Sequence, residues 1–344
     1  MSDKPRRMLL GAAKGSSFRK LQRITILILL GLLCAYASVR SPTFFSWGNL
    51  VDNLMTNAAA LGVIALGMTF VMIAGGFDLS VGSTTVVCMI VLVMTMDALS
   101  GHGALLAISG ALLLTLLVGA VLGAVNGTLI AYVGVNPFVA TLSTMLVFRG
   151  IALIVTGGGQ TQQVGDLQLS ARFSRLYEAQ LPLLGRDYQV SMPILIFAAA
   201  FIIGLYLLRF TRFGHYIYAI GGNEEAAWLA GVNTRRIKTA TYILCGLTCA
   251  VAAAILVAMT GTAGAEGQQG RELEVIAGVI VGGTPLGGGS GGLGSTLIGL
   301  MLLRIIVNLL TQFNVGPEYR PVVTGLIILV VVAIDVLAKR RSQR

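Results

Sequence analysis

Long apolar runs alternate with short polar breaks along almost the whole chain. A helix needs about 20 mostly apolar residues to cross a bilayer. Ten runs stand out as candidate spans: 24–39, 54–73, 79–97, 104–130, 137–155, 191–209, 238–259, 272–283, 293–311 and 321–338. The run 272–283 is too short to cross alone and reads as a broken or re-entrant helix. The pattern therefore predicts an all-α polytopic membrane protein with about ten transmembrane helices, organised as one domain over residues 1–344.

Charge placement orients these spans. Sixteen of the 24 Lys and Arg fall in 1–23, 209–238 and 339–344. Basic residues are retained on the cytoplasmic side of a membrane protein, so the basic N-terminus 1–23, the segment 210–237 and the tail 339–344 are expected inside. Ten alternating spans from a cytoplasmic N-terminus satisfy all three, and put both termini in the cytoplasm. The expected outside loops then hold only Arg40, Arg172, Arg175, Arg186, Arg271 and Arg320. The longest of them, 156–190, carries Asp166, Glu178 and Asp187, and is polar enough to form a structured lid or a docking surface. The basic start followed by the apolar run to Ala37 imitates a signal peptide, but the topology closes with this segment kept as a span.

Composition narrows the function classes. The chain is 56% hydrophobic and 11% charged, against about 25% charged residues in soluble domains. The net charge of +10 follows from topology and implies no nucleic-acid partner. Cys34, Cys88, Cys245 and Cys249 all lie in apolar runs, and Cys245 and Cys249, four apart on one helical face, read as small packing residues. The two histidines, His102 and His215, are isolated, so neither a metal site nor a catalytic triad is expected. A G-x-x-x-x-G-K-[ST] phosphate loop is absent, so ATP hydrolysis by this chain is not expected. Nor is there a chain of intramembrane carboxylates of the kind proton-coupled carriers often use.

Several breaks carry candidate chemistry. Gly75-Gly-Phe-Asp-Leu-Ser-Val-Gly82 reads either as a tight turn in which Asp78 caps a helix starting near Leu79, or as a broken helix beside a translocation path. A second glycine cluster, Gly282–Gly294, matches it at the Gly-Gly, Leu and Gly-Ser positions and suggests a same-direction repeat. Gly119, Gly123 and Gly127 form a small-residue ridge for close helix crossing, with Asn126 on the neighbouring face as a hydrogen-bonding group. Arg149 and Arg304 sit within apolar runs, where a charge costs about 2.5–3.5 kcal/mol on insertion scales, so they should face a partner group or a wet cavity. Asn136, Thr141, Thr144, Asn308 and Gln312 are further groups able to hydrogen-bond a hydroxylated solute. The candidate solute path is thus Asp78, Asn126, Asn136, Thr141, Arg149, Arg304 and Asn308.

The polar island Thr211–Lys238 interrupts the apolar pattern. Glu225-Ala-Ala-Trp-Leu-Ala-Gly231 within it gives E-A-A-x-x-x-G, a short helix ending at glycine. A membrane protein that exposes such a helix on its cytoplasmic side offers it to a partner.

Four segments in this order, GGFDLSVG (75–82), NPFVATLSTMLVFRG (136–150), TRFGHYIYAIGGNEEAAWLAGVNTR (211–235) and ELEVIAGVIVGGTPLGGGSGGLGST (272–296), resemble the sugar-type permease subunits of bacterial ATP-binding-cassette importers, the ribose, xylose and galactofuranose class. The resemblance implies a type II importer-like fold in the inner membrane and a dimer of identical or paralogous permeases. It also implies two cytoplasmic ATPase subunits that hold ATP and Mg, and a periplasmic sugar-binding protein. It further implies a coupling role for Asn223, Glu224, Glu225, Ala226, Ala227 and Gly231. The chain departs from the usual pattern at Pro285, Glu274 and Arg304. The alternative is an ATP-independent secondary transporter or channel for a small polar solute. A membrane enzyme acting on lipid-linked substrates would require a cluster of catalytic carboxylates or histidines, which the chain lacks.

Overall fold

A computed structural model describes residues 34–316, except 183–188 and 266–267, together with scattered positions at 28–32 and 318–329. Most of the expected last span (321–338), part of the first (24–39) and the two basic termini lie outside the described residues.

Besides helical residues at 34–40 and a 3-10 turn at Ser100–His102, eleven helices follow one another among the described residues: α1 (Gly48–Ile73), α2 (Val81–Ala98), α3 (Ala104–Val133), α4 (Pro137–Val155), α5 (Leu167–Glu178), α6 (Met192–Phe210), α7 (Arg212–Gly222), α8 (Glu224–Leu229), α9 (Thr234–Thr260), α10 (Arg271–Val281) and α11 (Leu293–Gln312). Among the described residues seven of them, α1, α2, α3, α4, α6, α9 and α11, are long and apolar enough to cross a membrane. Each matches an expected span. At 11 residues, α10 rises only about 16 Å and covers roughly half of a bilayer core, as its length in the sequence required.

The core forms around α1 and α9. Nearly every residue of α1 from Ala58 to Ala74 is buried, the mark of a helix enclosed on all sides. The glycine ridge of α3 lies against α9: a Cβ on Gly119 would stand 2.5 Å from the Gly246 carbonyl oxygen, and one on Gly127 would stand 2.7 Å from Thr239 Cα. These glycines let two backbones touch, which is the packing role their spacing predicts. Leu105, Leu113, Leu117 and Val121 on other faces of α3 are exposed, as suits contact with lipid or another subunit.

The two ends of the bundle are built differently. At one end residues 156–182 and 189–191 are structured by α5, by β1 (Gln162–Gln163) and by an antiparallel pair of β2 (Gln180–Pro182) with β3 (Gln189–Ser191). β1 pairs antiparallel with β4 (Thr262–Ala263), so this segment meets the loop that follows α9. Asp166 caps α5 by accepting from Gln168 N at 2.9 Å and Leu169 N at 3.1 Å, while Leu169 and Phe173 are buried beneath it. Gly165 N also donates to Asp97 at the end of α2, at 2.9 Å.

At the opposite end, the two glycine clusters meet. Gly289 N donates to the Ile73 carbonyl at 2.9 Å. A Cβ on Gly288 would lie 2.6 Å from Gly75 N, and one on Gly221 at the end of α7 would collide with Ile73 O. Three chain segments therefore converge on the last turn of α1. This gathers 73–76, 211–233 and 282–292 at one end and 97–103, 156–182, 189–191 and 261–265 at the other, the grouping that alternating spans demand.

Candidate functional site

The Gly75–Gly82 break places Asp78 in a buried polar knot. Its Oδ1 accepts from Ser80 N at 2.8 Å and Ser80 Oγ at 2.6 Å. Asn126 Nδ2, from α3, lies 3.3 Å from both carboxylate oxygens and 2.8 Å from Ser80 Oγ. Thr144 Oγ1, from α4, donates to Asn126 Oδ1 at 2.7 Å. Tyr242 on α9 closes the group by donating to the Phe77 carbonyl at 3.2 Å. The helix starts at Val81 rather than Leu79, so Asp78 holds the Ser80 amide ahead of the first helical turn and makes no side-chain cap of α2. One carboxylate and one carboxamide thus tie the break to α3 and α4, and a backbone carbonyl ties it to α9, an arrangement that fixes geometry.

The other candidate path residues divide by what they touch. Asn136 is the N-cap of α4, accepting from Phe138 N at 2.9 Å ahead of Pro137 in the first turn. Thr141 is buried and donates to the Pro137 carbonyl at 2.7 Å. Both therefore shape α4. Arg149 instead reaches across to the segment between β4 and α10. The Gln269 amide, with its oxygen turned to Arg149, accepts from both guanidinium nitrogens, Nη1 at 2.9 Å. A small cavity there is lined by Gly82, Ser83, Met145, Arg149, Gln268 and Glu272.

Arg304 and Asn308 are one turn apart on α11. Arg304 Nη2 and Arg271 Nη1 each lie 3.2 Å from Glu274 Oε2, so one carboxylate sits between two guanidiniums. Arg304 is 11 residues into a 20-residue helix, about 16 Å along a rise of about 30 Å, which is mid-membrane depth. The ion pair supplies the partner that a charge at that depth requires. Asn308 exchanges hydrogen bonds with Asn49 of α1, donating to its Oδ1 at 3.0 Å. The hydropathy pattern gives no reason to single out Asn49, because it precedes the apolar run from which α1 is read.

The polar island forms three consecutive helices, each opened by a side-chain cap. Thr211 accepts from Gly214 N, Asn223 from Ala226 N and Asn233 from Arg236 N, at 3.4, 2.9 and 3.1 Å. α8 begins with Glu224 and Glu225 in its first turn, where carboxylates suit the positive end of a helix. It stops at Gly231, whose φ of +85° favours glycine. Val232 N donates back to the Ala227 carbonyl at 3.0 Å, and Ala227 is buried. Trp228 and Leu229 point the other way and are 63% and 72% exposed. Trp228 lines an open groove of about 850 Å³ together with Glu224, Glu225, Gly231 and Arg235.

Two contacts tie this segment to the bundle. Lys238 Nζ on α9 lies 2.5 Å from Glu224 Oε2, and Tyr218 on α7 donates to the Gly291 carbonyl at 3.0 Å. Burial pushes the Tyr218 phenol up, against an opposite pull from the Arg209 guanidinium, so the hydroxyl remains a donor.

Known proteins place this architecture. Residues 50–332 match the family described as the permease component of the branched-chain amino acid transport system. The chain is 37% identical to the ribose import permease protein RbsC of Escherichia coli K12 over 315 residues, covering 90% of this chain and 92% of the relative. It is also 37% identical to the ribose import permease of Bacillus subtilis over 320 residues, covering 92% and 93%. The xylose transport system permease protein XylH of Escherichia coli K12 is 30% identical over 375 residues, covering 93% and 92%. No solved structure matches. The chain belongs to the family of permease components of branched-chain amino acid transport systems.

Proposed function

We propose that this chain is the membrane-spanning permease subunit of an ATP-driven importer that carries a monosaccharide, a pentose or hexose, across the bacterial inner membrane. The observation that carries the reading is the similarity to ribose and xylose permeases over at least 90% of the chain. In this reading two permeases, identical or paralogous, pair in the lipid bilayer. ATP and Mg reside on two cytoplasmic ATPase subunits, and a periplasmic binding protein delivers the sugar. The basic segments 1–23, 210–237 and 339–344 then face the cytoplasm, in keeping with the distribution of positive charge.

The coupling element is Asn223–Val232. Its exposed Trp228 and Leu229 are an apolar pair on an otherwise polar segment, the kind of anchor a partner surface buries. Movement of α8 passes to α9 through Glu224 and Lys238, and from α9 to the Phe77–Asp78 break through Tyr242. A second route runs through Gly221, which abuts Ile73 and Gly289. Packed helices with two discrete arrangements convert such displacements into alternating access. The solute path draws on Arg149, Arg304 and Asn308, while Asp78, Asn126, Asn136 and Thr141 hold the helices that frame it.

Co-purification tests the assembly. Tagged permease extracted from membranes should retain its cognate ATPase, and the ATPase rate of that complex should rise with sugar-loaded binding protein. A permease that transports sugar while associating with no ATPase would support the secondary-transporter alternative instead.

A further inference from the structure

A row of carboxamides crosses from α1 to α11 towards the end of the bundle that carries β2 and β3. Asn49, Asn53 and Asn57 follow at four-residue steps on α1, and Asn308 and Gln312 do the same on α11. Asn57 Nδ2 donates to Asn53 Oδ1 at 3.1 Å, and Asn53 Nδ2 to Asn49 Oδ1 at 3.3 Å. Asn308 Nδ2 donates to Asn49 Oδ1 at 3.0 Å, and Gln312 Nε2 to Asn308 Oδ1 at 2.8 Å. At the end of the row Gln312 Oε1 is buried and finds no donor among the described residues.

Depth makes the inner members of this row costly unless they are wet. Asn57 precedes Ile73, the end of α1, by 16 residues (73 − 57), about 24 Å of helix within a hydrocarbon core of about 30 Å. Yet Asn57 is exposed on the bundle surface, as are Asn53 and Asp52 about a turn further out at the edge of that core. Polar groups at such depth face a water-filled cavity or another protein surface rather than lipid. The backbone is unusual at the same place. Gly48–Met55 is wound as a π-helix, with Thr56 N reaching back five residues to the Val51 carbonyl, a form rare in helices and concentrated at functional sites.

We propose that Asn49, Asn53, Asn57, Asn308 and Gln312 form a solute-binding strip on the outward half of the path, suited to an uncharged, polyhydroxylated molecule. A carboxamide donates and accepts at once, as a hydroxyl does, so each residue of the strip pairs with a sugar hydroxyl in either sense. The strip itself carries no charge. Its inner limit is Arg304, one turn further along α11 and engaged by Glu274. This assignment rests on the importer reading above.

The test uses the full complex of permease, ATPase and binding protein in proteoliposomes. In a Cys34→Ala background, Asn53→Cys and Asn57→Cys are treated with a charged, membrane-impermeant thiol reagent, with and without binding protein loaded with D-ribose or D-xylose. Both cysteines should label, and the loaded binding protein plus ATP should slow the labelling. Asn53→Leu and Asn57→Leu should each lower ATP-driven uptake about tenfold, the worth of a lost solute hydrogen bond, while the complex still assembles. Asn53→Gln should retain more uptake than Asn53→Leu. Cysteines that do not label, or unchanged uptake in both leucine variants, overturn the proposal. Loss of assembly in the leucine variants overturns it too, because the row would then be a subunit interface. Absence of uptake in the unsubstituted complex defeats the importer reading instead, and the labelling still decides whether the row is wet.

Discussion

Lys238 Nζ lies 2.5 Å from Glu224 Oε2, joining the second turn of the long helix α9 to the first turn of the short helix α8. Lys238 also borders a small cavity shared with Gly75, Gly76 and Tyr242. One residue thus links the short helix proposed for coupling to the surroundings of the glycine break at the end of α1. An exposed ion pair adds only about 0.2–1 kcal/mol to stability, so its removal should spare folding and act on coupling. Glu224→Lys is expected to reduce solute-stimulated ATPase activity and uptake severalfold at normal membrane abundance. The exchange Glu224→Lys with Lys238→Glu should restore part of both. Equal activity in the single and double variants would assign the pair no mechanical role.

The turn that ends α8 provides a second prediction. Gly231 has φ +85°, where an L side chain costs about 1–2 kcal/mol, and it lines the groove next to Trp228. Gly231→Trp and Glu225→Arg should each leave the protein in the membrane but abolish stimulation of the ATPase by loaded binding protein. Normal stimulation in both variants would remove α8 from the coupling route.

Packing of α3 on α9 predicts a different failure. A Cβ on Gly123 would lie 2.9 Å from the Tyr242 carbonyl carbon and 3.0 Å from Ile243 Cα, both backbone atoms that no rotamer change can move. Gly123→Leu should therefore give little monodisperse protein in detergent, with Gly123→Ala milder. Size-exclusion yield is the measurement. Gly101→Leu, at a position with open space around it, should yield normally.

The charge cluster on α10 and α11 predicts an order of stabilities. Removing one member of a buried pair typically costs about 3–5 kcal/mol, less here because Glu274 is partly exposed and solvent screens it. Arg304→Met leaves Glu274 still paired with Arg271. Glu274→Gln removes the carboxylate that faces both guanidiniums at once. Thermal unfolding in detergent should therefore show Glu274→Gln as the less stable of the two.

Much of this architecture was legible in hydropathy alone, for reasons particular residues show. The long spans follow from apolar runs bounded by Asp97, Asn136, Arg209 and Asn233, and the shortness of α10 from the glycines that follow Val281. Arg304 stood out because an arginine amid leucine and isoleucine is expensive in lipid. Asn49, Asn53 and Asn57 did not, because they straddle the start of the apolar run, where polar residues look like a loop. Only the packed structure extends α1 back to Gly48 and lays Asn49 against Asn308, 259 residues away. The same holds for Asp78. Its burial depends on Asn126 and Thr144 arriving from α3 and α4, a meeting that no local spacing encodes. The extent of the polar island was readable from its charges. That Trp228 and Leu229 face outward while Ala227 faces inward depends on the caps at Asn223 and Asn233.

ATP-driven uptake is the most direct measurement of the central claim. Proteoliposomes holding this permease and its cognate ATPase, supplied with binding protein outside and ATP inside, should accumulate radiolabelled ribose or xylose. Accumulation should stop when the ATPase is replaced by a hydrolysis-dead variant. Uptake that proceeds equally with the dead ATPase, or with no ATPase at all, would contradict the account.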